Sequence, residues 1–422
     1  MAKKAKKPSP DRDPKAGVVQ KAVKEIALGT KFFEVQYAGA KGLGAFALQN
    51  ISASTCILRE DPILLIRKDE DLVSERDILA AYKKLSPEKK REFDALRDDG
   101  QRAPDASDPH EHASSSTTDR GLKSLTERVW EQYNSNRHSV SDSRTGINGA
   151  GVYHLSSMFN HSCRPNATMN YDDSGTRYFY VIENIVAGQE ITFAYNSRTY
   201  YMSTEHRSED LDMDCLCDLC TSPMALREVS DTRRFMLRAL YEFIHREDPA
   251  GKMPNLLKGM WMHQSTIDDL ARLRPQEFLQ WTTVHFFVIA KLLEVEGIIT
   301  DATITSYARA AVNVVHIADN AGRKVLPPRE FENVKLWTQK SEKMARKIGY
   351  MDYEGDDRMR RFWYAMREVL LAVGSSGEIP ELEKVASHAG GMRGLKRGKG
   401  IKGTLRPMDH LKKAGNGGLI HG

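Results

Sequence analysis

Three blocks of sequence organise this chain: YHLSSMFNHSCRPN at residues 153–166, GQEITFAY at 188–195 and CLCDLC at 215–220. They hold four of the five cysteines, three of them in a C-x-C-x-x-C cluster. Four soft thiolates without a histidine or carboxylate favour a closed, tetrahedral zinc site with a structural role. Spacing alone leaves free thiols or a disulfide as alternatives. Cys215 and Cys217 are poorly placed to pair, however, and no secretory signal suggests an oxidising compartment.

The same blocks carry a resemblance to a known family. Asn160-His161-Ser162-Cys163 with Pro165-Asn166, then GQEITFAY, then C-x-C-x-x-C, resembles the motif order of SET-domain protein-lysine methyltransferases. The earlier KGLGAFA at 41–47 resembles the first motif of that family. The resemblance covers roughly residues 30–220 and is closest to a fungal type with a post-SET-like cysteine segment. No cysteine cluster of the MYND type occurs in the sequence.

The resemblance implies a cofactor, a metal and the residues that hold them. The cofactor is S-adenosyl-L-methionine, and the residues assigned to it are Lys41, Gly42, Leu43, Gly44, Asn160, His161 and Tyr195. The metal is a structural Zn²⁺, and its ligands are Cys163, Cys215, Cys217 and Cys220. The catalytic residue is Tyr195, whose hydroxyl would orient the substrate nitrogen and contact the transferring methyl group.

These assignments have plainer alternatives. A lone G-x-G is most often a turn, and Asn160 and His161 could form a polar turn whose side chains satisfy the local backbone. Tyr195 taken alone would be a core tyrosine at the end of a strand. Tyr153 is expected either to pack in the core or to line the substrate channel. Cys56, outside the motifs, is expected to be a small buried core residue.

The chemistry of methyl transfer asks for alignment rather than for a covalent nucleophile. The amine nitrogen attacks, the methyl carbon moves and the thioether leaves. The protein must align donor and acceptor, remove water from the lysine and accept it as a neutral amine. A narrow channel with aromatic walls and a hydroxyl at its end meets these demands.

Charge is distributed unevenly along the 422 residues, whose formal net charge is +5. Residues 1–24 carry eight Lys and Arg against two acids, and residues 391–422 carry eight against one, which leaves the middle with eight more acidic than basic groups. The acidic body favours a Lys/Arg-rich substrate. The tails could make weak nucleic-acid contact, serve as nuclear addresses or only solvate the chain. The sequence contains no run of 18 apolar residues, so no membrane span is expected.

The pattern predicts an α+β fold, with a β-rich SET domain followed by a mainly helical domain. Strands are expected over 32–37, 45–48, 57–66, 167–171, 178–185 and 191–195, and helices over 74–97, 122–133, 301–319, 328–348 and 357–372. Phe235, Ala239, Leu240 and Phe243 should share one helical face. The expected domains are a disordered basic tail (1–24), a SET domain (30–197) with a helical and flexible insertion (about 74–150), a zinc segment (198–222), a helical domain (225–375) and a disordered Gly-rich tail (391–422).

The leading hypothesis is a lysine methyltransferase, acting on a histone tail or on another protein, nuclear or cytoplasmic, monomeric and not bound to a membrane. A catalytically silent SET-fold scaffold is the alternative from another class, although no motif residue is missing. A second alternative is a methyltransferase of the same type acting on a small-molecule amine. A DNA-binding protein is disfavoured because the basic tails have few aromatics and no recognition motif.

Overall fold

The computed structural model describes residues 30–69, 72–96, 124–141, 148–245, 275–350, 358–374 and 376–380. The chain divides into two compact units. One, here the strand unit, comprises Met1–His161 and Met169–Phe193, and the other, the helical unit, comprises Ser162–Thr168 and Ala194–Gly422. The two basic tails predicted to be disordered and the flexible part of the predicted insertion lie outside the described residues.

The strands form three small sheets. In the described residues they are β1 (Phe33–Tyr37), β2 (Leu43–Ala47), β3 (Cys56–Glu60), β4 (Leu64–Ile66), β5 (Arg137–Ser141), β6 (Asn148–Val152), β7 (Asn160–His161), β8 (Ala167–Tyr171), β9 (Arg177–Val181) and β10 (Glu190–Phe193). The strand orders are β1-β2-β10-β7, β3-β9-β8 and β4-β6-β5. Strands β7 and β10 pair in parallel, whereas β1 and β2 form an antiparallel hairpin.

The β1–β2 hairpin sets the register of the first sheet. Phe33 lies opposite Ala47 and Tyr37 opposite Leu43. Phe33 and Val35 point inward and are buried, as the period of two along a half-buried strand requires. Strand β10 adds to the other edge of β2, with Glu190 opposite Phe46. The hairpin turn and the GQEITFAY block therefore belong to one sheet.

Two strands of the third sheet were not predicted. Strand β6 has the sequence NGAGV, and β5 precedes it with RHSVS. Glycine and asparagine disfavour strands, so this segment carries little local signal. Pairing supplies what propensity lacks, because β6 lies between β4 and β5 with Val152 opposite Leu64. Ala150 and Val152 are fully buried in a core shared with helix residues such as Ile78 and Phe93.

Each predicted helical range contains a helix, and the range 74–97 contains two. In the described residues they are α1 (Glu75–Lys83), α2 (Pro87–Asp94), α3 (Leu125–Asn136), α4 (Thr204–Leu211), α5 (Met224–His245), α6 (Pro275–Val295), α7 (Asp301–Asn320), α8 (Pro328–Lys347) and α9 (Arg358–Val373). Ser74 and Asp77 form a capping box at the start of α1, and Ser86 caps α2 ahead of Pro87. The α+β class is confirmed, with a strand-rich region followed by helices.

Helix α7 forms the centre of the helical unit. It packs against α6, α8 and α9, and it buries residues on most of its circumference. Tyr307, Ala311 and Val315 are fully buried, and the Trp337 ring of α8 stacks 5.0 Å from that of Phe287. The helices predicted beyond residue 300 are therefore confirmed, and their apolar faces meet each other.

One helix is more apolar than the sequence analysis allowed. Gln276–Val295, within α6, is long and apolar enough to cross a membrane by length and composition alone. Core helices pass the same test. Here α6 packs against α5 and α7, and Ile289, Ala290 and Leu293 are buried by that packing.

Two local predictions are wrong. Strand β10 ends at Phe193, two residues before the tyrosine at which it was expected to end. Cys56 is only half-buried at the start of β3, where its thiol donates to the carbonyl of Leu58 at 3.6 Å. It lies at an irregularity of the β3–β9 ladder, so it is not the enclosed core residue that was expected.

Candidate cofactor site and metal centre

The turn between β1 and β2 carries the first motif. Gly42 has φ of +78°, a left-handed backbone that favours glycine. Gly44 sits where a Cβ atom would lie 2.8 Å from Nδ2 of Asn160, so a side chain there would displace that amide. Gly42 thus allows the turn, and Gly44 leaves the space that the Asn160 amide occupies.

Asn160 is held in one orientation by two acceptors. Its Nδ2 donates to the carbonyl oxygen of Leu43 at 2.9 Å and to Oε1 of Glu190 at 2.8 Å. Neither partner can donate, so the amide cannot flip without losing both bonds. Glu190 also pairs with Lys41, and Asn160 is buried. The structure therefore brings four predicted cofactor residues (Lys41, Leu43, Gly44 and Asn160) to one place and adds Glu190, which was not predicted.

The parallel pairing of β7 with β10 is what joins the two motif blocks. Thr192 lies opposite Asn160, and Phe193 lies opposite His161. His161 is buried beside its strand partner. The backbone of the Asn-His pair is thus part of a sheet rather than of a free polar turn.

A row of aromatic rings packs beside the paired strands β7 and β10. Phe159 stacks on Phe179 with centroids 4.4 Å apart, and Phe179 meets Phe193 edge-on at 5.2 Å. Phe33 closes the row against Phe159 at 4.9 Å. Such pairs favour offset and edge-on geometry, which fixes the strands that carry them. The rings pack beside both motif blocks.

Glu60 holds the loop that leads into β7. Its carboxylate accepts hydrogen bonds from the backbone N–H of Leu155 at 2.7 Å, from that of Ser156 at 2.8 Å and from the Ser156 hydroxyl at 2.5 Å. Charge-assisted bonds of this kind are about twice as strong as neutral ones. No local pattern predicts this contact, because Glu60 precedes its partners by 95 and 96 residues.

Tyr153 packs in the core, one of the two roles considered for it. It is fully buried, and its hydroxyl donates to the carbonyl oxygen of Gly175 at 2.6 Å. The Arg177 guanidinium lies 4.2 Å above its ring. Burial, and then the charge of Arg177, hold the pKa of the neighbouring His138 well below its usual value, so that imidazole is neutral.

Tyr195, the predicted catalytic residue, is described with the helical unit. Its side chain is 47% exposed. It follows Ala194, which packs against the hydrophobic cluster that includes Tyr200 and Leu237. Its catalytic role stays a prediction.

The four predicted metal ligands converge in the helical unit. The sulfurs of Cys163, Cys215, Cys217 and Cys220 all lie within 4.8 Å of one another. Sγ of Cys163 is 3.8 Å from that of Cys215 and 3.6 Å from that of Cys220. Four sulfurs bound tetrahedrally at ~2.3 Å from one zinc ion would lie about 3.8 Å apart. The cluster therefore fits a tetrahedral divalent metal, and these four cysteines form no disulfide.

The contacts among the four thiols lower the pKa of Cys217 and Cys220 and raise that of Cys163 and Cys215. Hydrogen bonds from Cys163 and then Cys215 lower the pKa of Cys220 to about 7. The bond with Cys163 also lowers the pKa of Cys217, while those with its neighbours raise the pKa of Cys163 itself. Thiolates rather than thiols bind metals, so part of the cluster is prepared at neutral pH.

A buried charge network next to the cysteines was not predicted from the sequence. Glu296 is fully buried and accepts from Ser230 at 2.6 Å. Its carboxylate also pairs with Arg164 at 3.0 Å, Arg233 at 3.2 Å and Arg234 at 3.3 Å. Burial alone would raise the pKa of Glu296, but the hydrogen bond from Ser230 and the charges of Arg234 and Arg164 outweigh that effect and lower it. Arg164 directly follows the predicted metal ligand Cys163 in the chain.

Comparison with known proteins agrees with this geometry. Residues 42–196 match the family model described as SET domain. A SET domain-containing protein of Acanthamoeba polyphaga mimivirus is 29% identical over 205 residues, which are 43% of this chain and 74% of that protein. The histone-lysine N-methyltransferase ASHR1 of Arabidopsis thaliana is 29% identical over 103 residues, which are 24% of this chain and 21% of the relative.

The other matches are shorter or weaker. The protein-lysine N-trimethyltransferase SMYD5 of Gallus gallus is 31% identical over 84 residues, 20% of each chain, so the matches span about a fifth of both named methyltransferases. The crystal structure of the SET domain of LSMT bound to lysine and AdoHcy aligns with 97% of this chain and 98% of its own, at 12% identity and a TM-score of 0.28. The motif residues of the strand unit and the match agree: residues 42–196 of this chain form a SET domain.

Proposed function

We propose that this protein transfers a methyl group from S-adenosylmethionine to a lysine side chain of a protein. One observation supports the proposal most strongly. Both N–H groups of the Asn160 amide are directed at acceptors, Leu43 and Glu190. The amide oxygen is then the atom left to accept from the cofactor, whose ammonium group needs such an acceptor.

The residues of the chain would divide the work as follows. When bound, S-adenosylmethionine supplies an electrophilic methyl group. Asn160 and the β1–β2 turn orient that donor, and the backbone of His161 adds to the same wall. Tyr195 positions the neutral amine of the substrate through its hydroxyl. Orientation of this kind accounts for several kcal/mol of a displacement barrier, on the order of 7 or more when alignment is good.

The acidic surface of the zinc segment (198–222) favours a basic peptide as substrate. Its exposed acidic residues are Glu205, Glu209, Asp212, Asp214 and Asp218. Lysine-rich segments such as histone tails would be attracted to this charge. We therefore propose a histone tail as the first substrate to test, with a nuclear or cytoplasmic location and weak nucleic-acid contact by the tails.

The cysteine cluster would hold Zn²⁺ in a structural role. All four ligands come from the protein, which leaves no position for a reacting water. The predicted division into a SET domain (30–197), a zinc segment (198–222) and a helical domain (225–375) is part of the same proposal, as is a monomeric state.

The test measures transfer of labelled methyl from S-adenosylmethionine to histone octamers and to a whole-cell protein extract. Label on histones that Tyr195→Phe abolishes would support the lysine methyltransferase and its histone substrate. Label confined to other proteins of the extract would keep the enzyme and reject the histone. No transfer by a folded, cofactor-binding protein would favour a small-molecule amine as substrate. No transfer and no cofactor binding by calorimetry would favour a silent scaffold.

A further inference from the structure

Two arginines in the helical unit are completely enclosed. Arg207 of α4 and Arg234 of α5 have no exposed side-chain surface. A guanidinium cannot lose its proton in a protein, so both groups are buried cations. Burying a charge is costly unless opposite charges and hydrogen bonds compensate it. Their partners therefore indicate what the fold requires of them.

Arg207 donates directly to a cysteine sulfur. Its Nη2 lies 3.5 Å from Sγ of Cys220 and 2.8 Å from the hydroxyl of Thr204. Its Nη1 donates to the carbonyl oxygen of Met202 at 2.8 Å and pairs with Asp231 at 3.2 Å. These contacts fix the guanidinium plane, so the N–H that faces Cys220 is held in place by three other groups.

Arg234 reaches the cluster through the backbone of a second ligand. Its Nη2 donates to the carbonyl oxygen of Cys163 at 2.7 Å, and its Nη1 donates to that of Thr199 at 3.0 Å. Its Nε lies 3.2 Å from the hydroxyl of Ser230 and 3.3 Å from Glu296. One side chain thus connects a metal ligand to helix α5 and to the residue that follows α6.

The charge of a loaded centre explains why cations are placed here. Four thiolates and one divalent ion carry a net charge of −2, and Cys163, Cys215 and Cys217 are buried. Each of the two enclosed guanidiniums contacts a different ligand residue. An N–H directed at a thiolate stabilises the ionised ligand, and outer-shell contacts of this kind commonly change metal affinity by about 10–100-fold.

We propose that Arg207 and Arg234 form a cationic outer shell that stabilises the metal–tetrathiolate complex and couples its loading to the packing of α5. Arg207 acts on the sulfur of Cys220, and Arg234 acts on the backbone of Cys163. Both are positioning residues that do not bind the metal. The inference rests on the proposed metal centre, and the experiment below separates the failure of one from the failure of the other.

The test compares metal binding by the full chain and by three variants. Arg207→Gln removes the charge and the fork, Arg207→Lys keeps the charge, and Arg198→Gln is the matched control. Arg198 precedes α4 and pairs at 2.9 Å with Asp210, which lies on α4 as Arg207 does. Zinc affinity is measured by competition with a chromophoric chelator. The Co²⁺-loaded proteins are compared by their sulfur-to-metal charge-transfer band, and folding is checked by circular dichroism.

We expect Arg207→Gln to weaken zinc binding by about 10–100-fold and to move the Co²⁺ band to lower energy, because a sulfur lone pair without its N–H donor lies higher. Arg207→Lys should lose less affinity, and Arg198→Gln should bind within about twofold of the wild type. Equal affinity and an equal band in Arg207→Gln and Arg198→Gln would overturn the outer shell while leaving the metal centre. Failure of the wild-type chain to bind zinc or Co²⁺ would overturn both. If Arg207→Gln does not fold, Arg207→Lys decides by the same two readouts.

Discussion

Glu190 is the residue that gives Asn160 its orientation. Its carboxylate accepts from the Asn160 amide at 2.8 Å and pairs with Lys41 of the first motif. An acidic side chain at this point can only accept, so it keeps the N–H₂ group of the Asn160 amide, rather than its oxygen, on the side of Glu190. A glutamine has the same shape, but its N–H₂ group would replace one of the two oxygens that face the Asn160 amide and Lys41.

We predict that Glu190→Gln weakens binding of S-adenosylmethionine by about tenfold, roughly the 1.4 kcal/mol that one charge-assisted hydrogen bond is worth. Isothermal titration calorimetry measures the dissociation constant directly. The matched control is Glu183→Gln, an exposed acid of the same unit. An unchanged dissociation constant in Glu190→Gln would show that the orientation of Asn160 does not depend on this carboxylate.

Glu60 should matter for stability rather than for cofactor contact. Three donors converge on its carboxylate, two backbone N–H groups and the Ser156 hydroxyl. A glutamine can accept with only one atom, and its N–H₂ group would face another donor. We predict that Glu60→Gln lowers the free energy of unfolding by about 1–3 kcal/mol, the usual cost of leaving buried donors unpaired.

Urea unfolding followed by circular dichroism measures this change, with Glu183→Gln again as the control. The midpoint should fall while the slope stays constant, because the surface exposed on unfolding is the same. An unfolding midpoint within error of the control would mean that the loop before β7 is held by other contacts.

At the scale of elements, local chemistry made some parts predictable and long-range pairing decided others. Ser74 with Asp77 and Ser86 with Pro87 announce helices α1 and α2, because caps act within one turn. The glycine-rich β6 forms through its neighbours in the sheet, which no local pattern reveals. The C-x-C-x-x-C spacing likewise made it possible to predict the cluster, because few geometries allow cysteines at this spacing to bind one metal ion. The structure places the four sulfurs close together.

Helix α5 shows why the charge network could not be predicted. The expected face of Phe235, Ala239 and Leu240 is only half-buried, whereas Ser230 and Arg234 are enclosed. Polar residues at helical spacing normally indicate a solvated face. Here they face Glu296, which lies 66 residues beyond Ser230 in the sequence. Such a pairing depends on the tertiary structure alone.

Glu294 joins three helices and should make the helical unit sensitive to acid. Burial would raise the pKa of Glu294, but hydrogen bonds from Lys291, Lys340 and Tyr307 outweigh it and lower the pKa from 4.5 to about 2. A carboxyl group whose pKa is lowered by folding stabilises the protein at pH values above the pKa that it has in the unfolded chain. That stability is lost as the pH falls from about 4.5 through about 2.

We predict that Glu294→Gln costs about 1–2 kcal/mol of unfolding free energy at pH 7, discounted because the side chain is partly exposed. The difference between wild type and variant should shrink below pH 4.5 and nearly vanish at pH 2. Denaturant unfolding at a series of pH values measures it. A difference that stays constant with pH would show that Glu294 acts through packing rather than through its charge.

At the scale of the whole molecule, the cysteine cluster joins parts of the chain that are far apart in sequence. Cys163 lies 52 residues before Cys215 and 57 before Cys220. The link includes the segment with Tyr195 and helix α4, and Arg234 extends it to α5. A closed four-thiolate site contributes binding free energy to folding, so removal of the metal should loosen this region.

We therefore predict that chelation abolishes methyl transfer by unfolding the metal segment. Hydrogen exchange should accelerate in residues 162–168 and 197–222, while the hairpin of β1 and β2 keeps its protection. Addition of Zn²⁺ or Co²⁺ should restore both protection and transfer, because a structural site needs tetrahedral thiolate coordination rather than a metal-bound water. Cys217→Ser serves as the control that no added metal should rescue fully. Loss of transfer without any change in exchange would indicate that the metal takes part in the chemistry. Full transfer by the metal-free protein would show that the cluster closes without an ion.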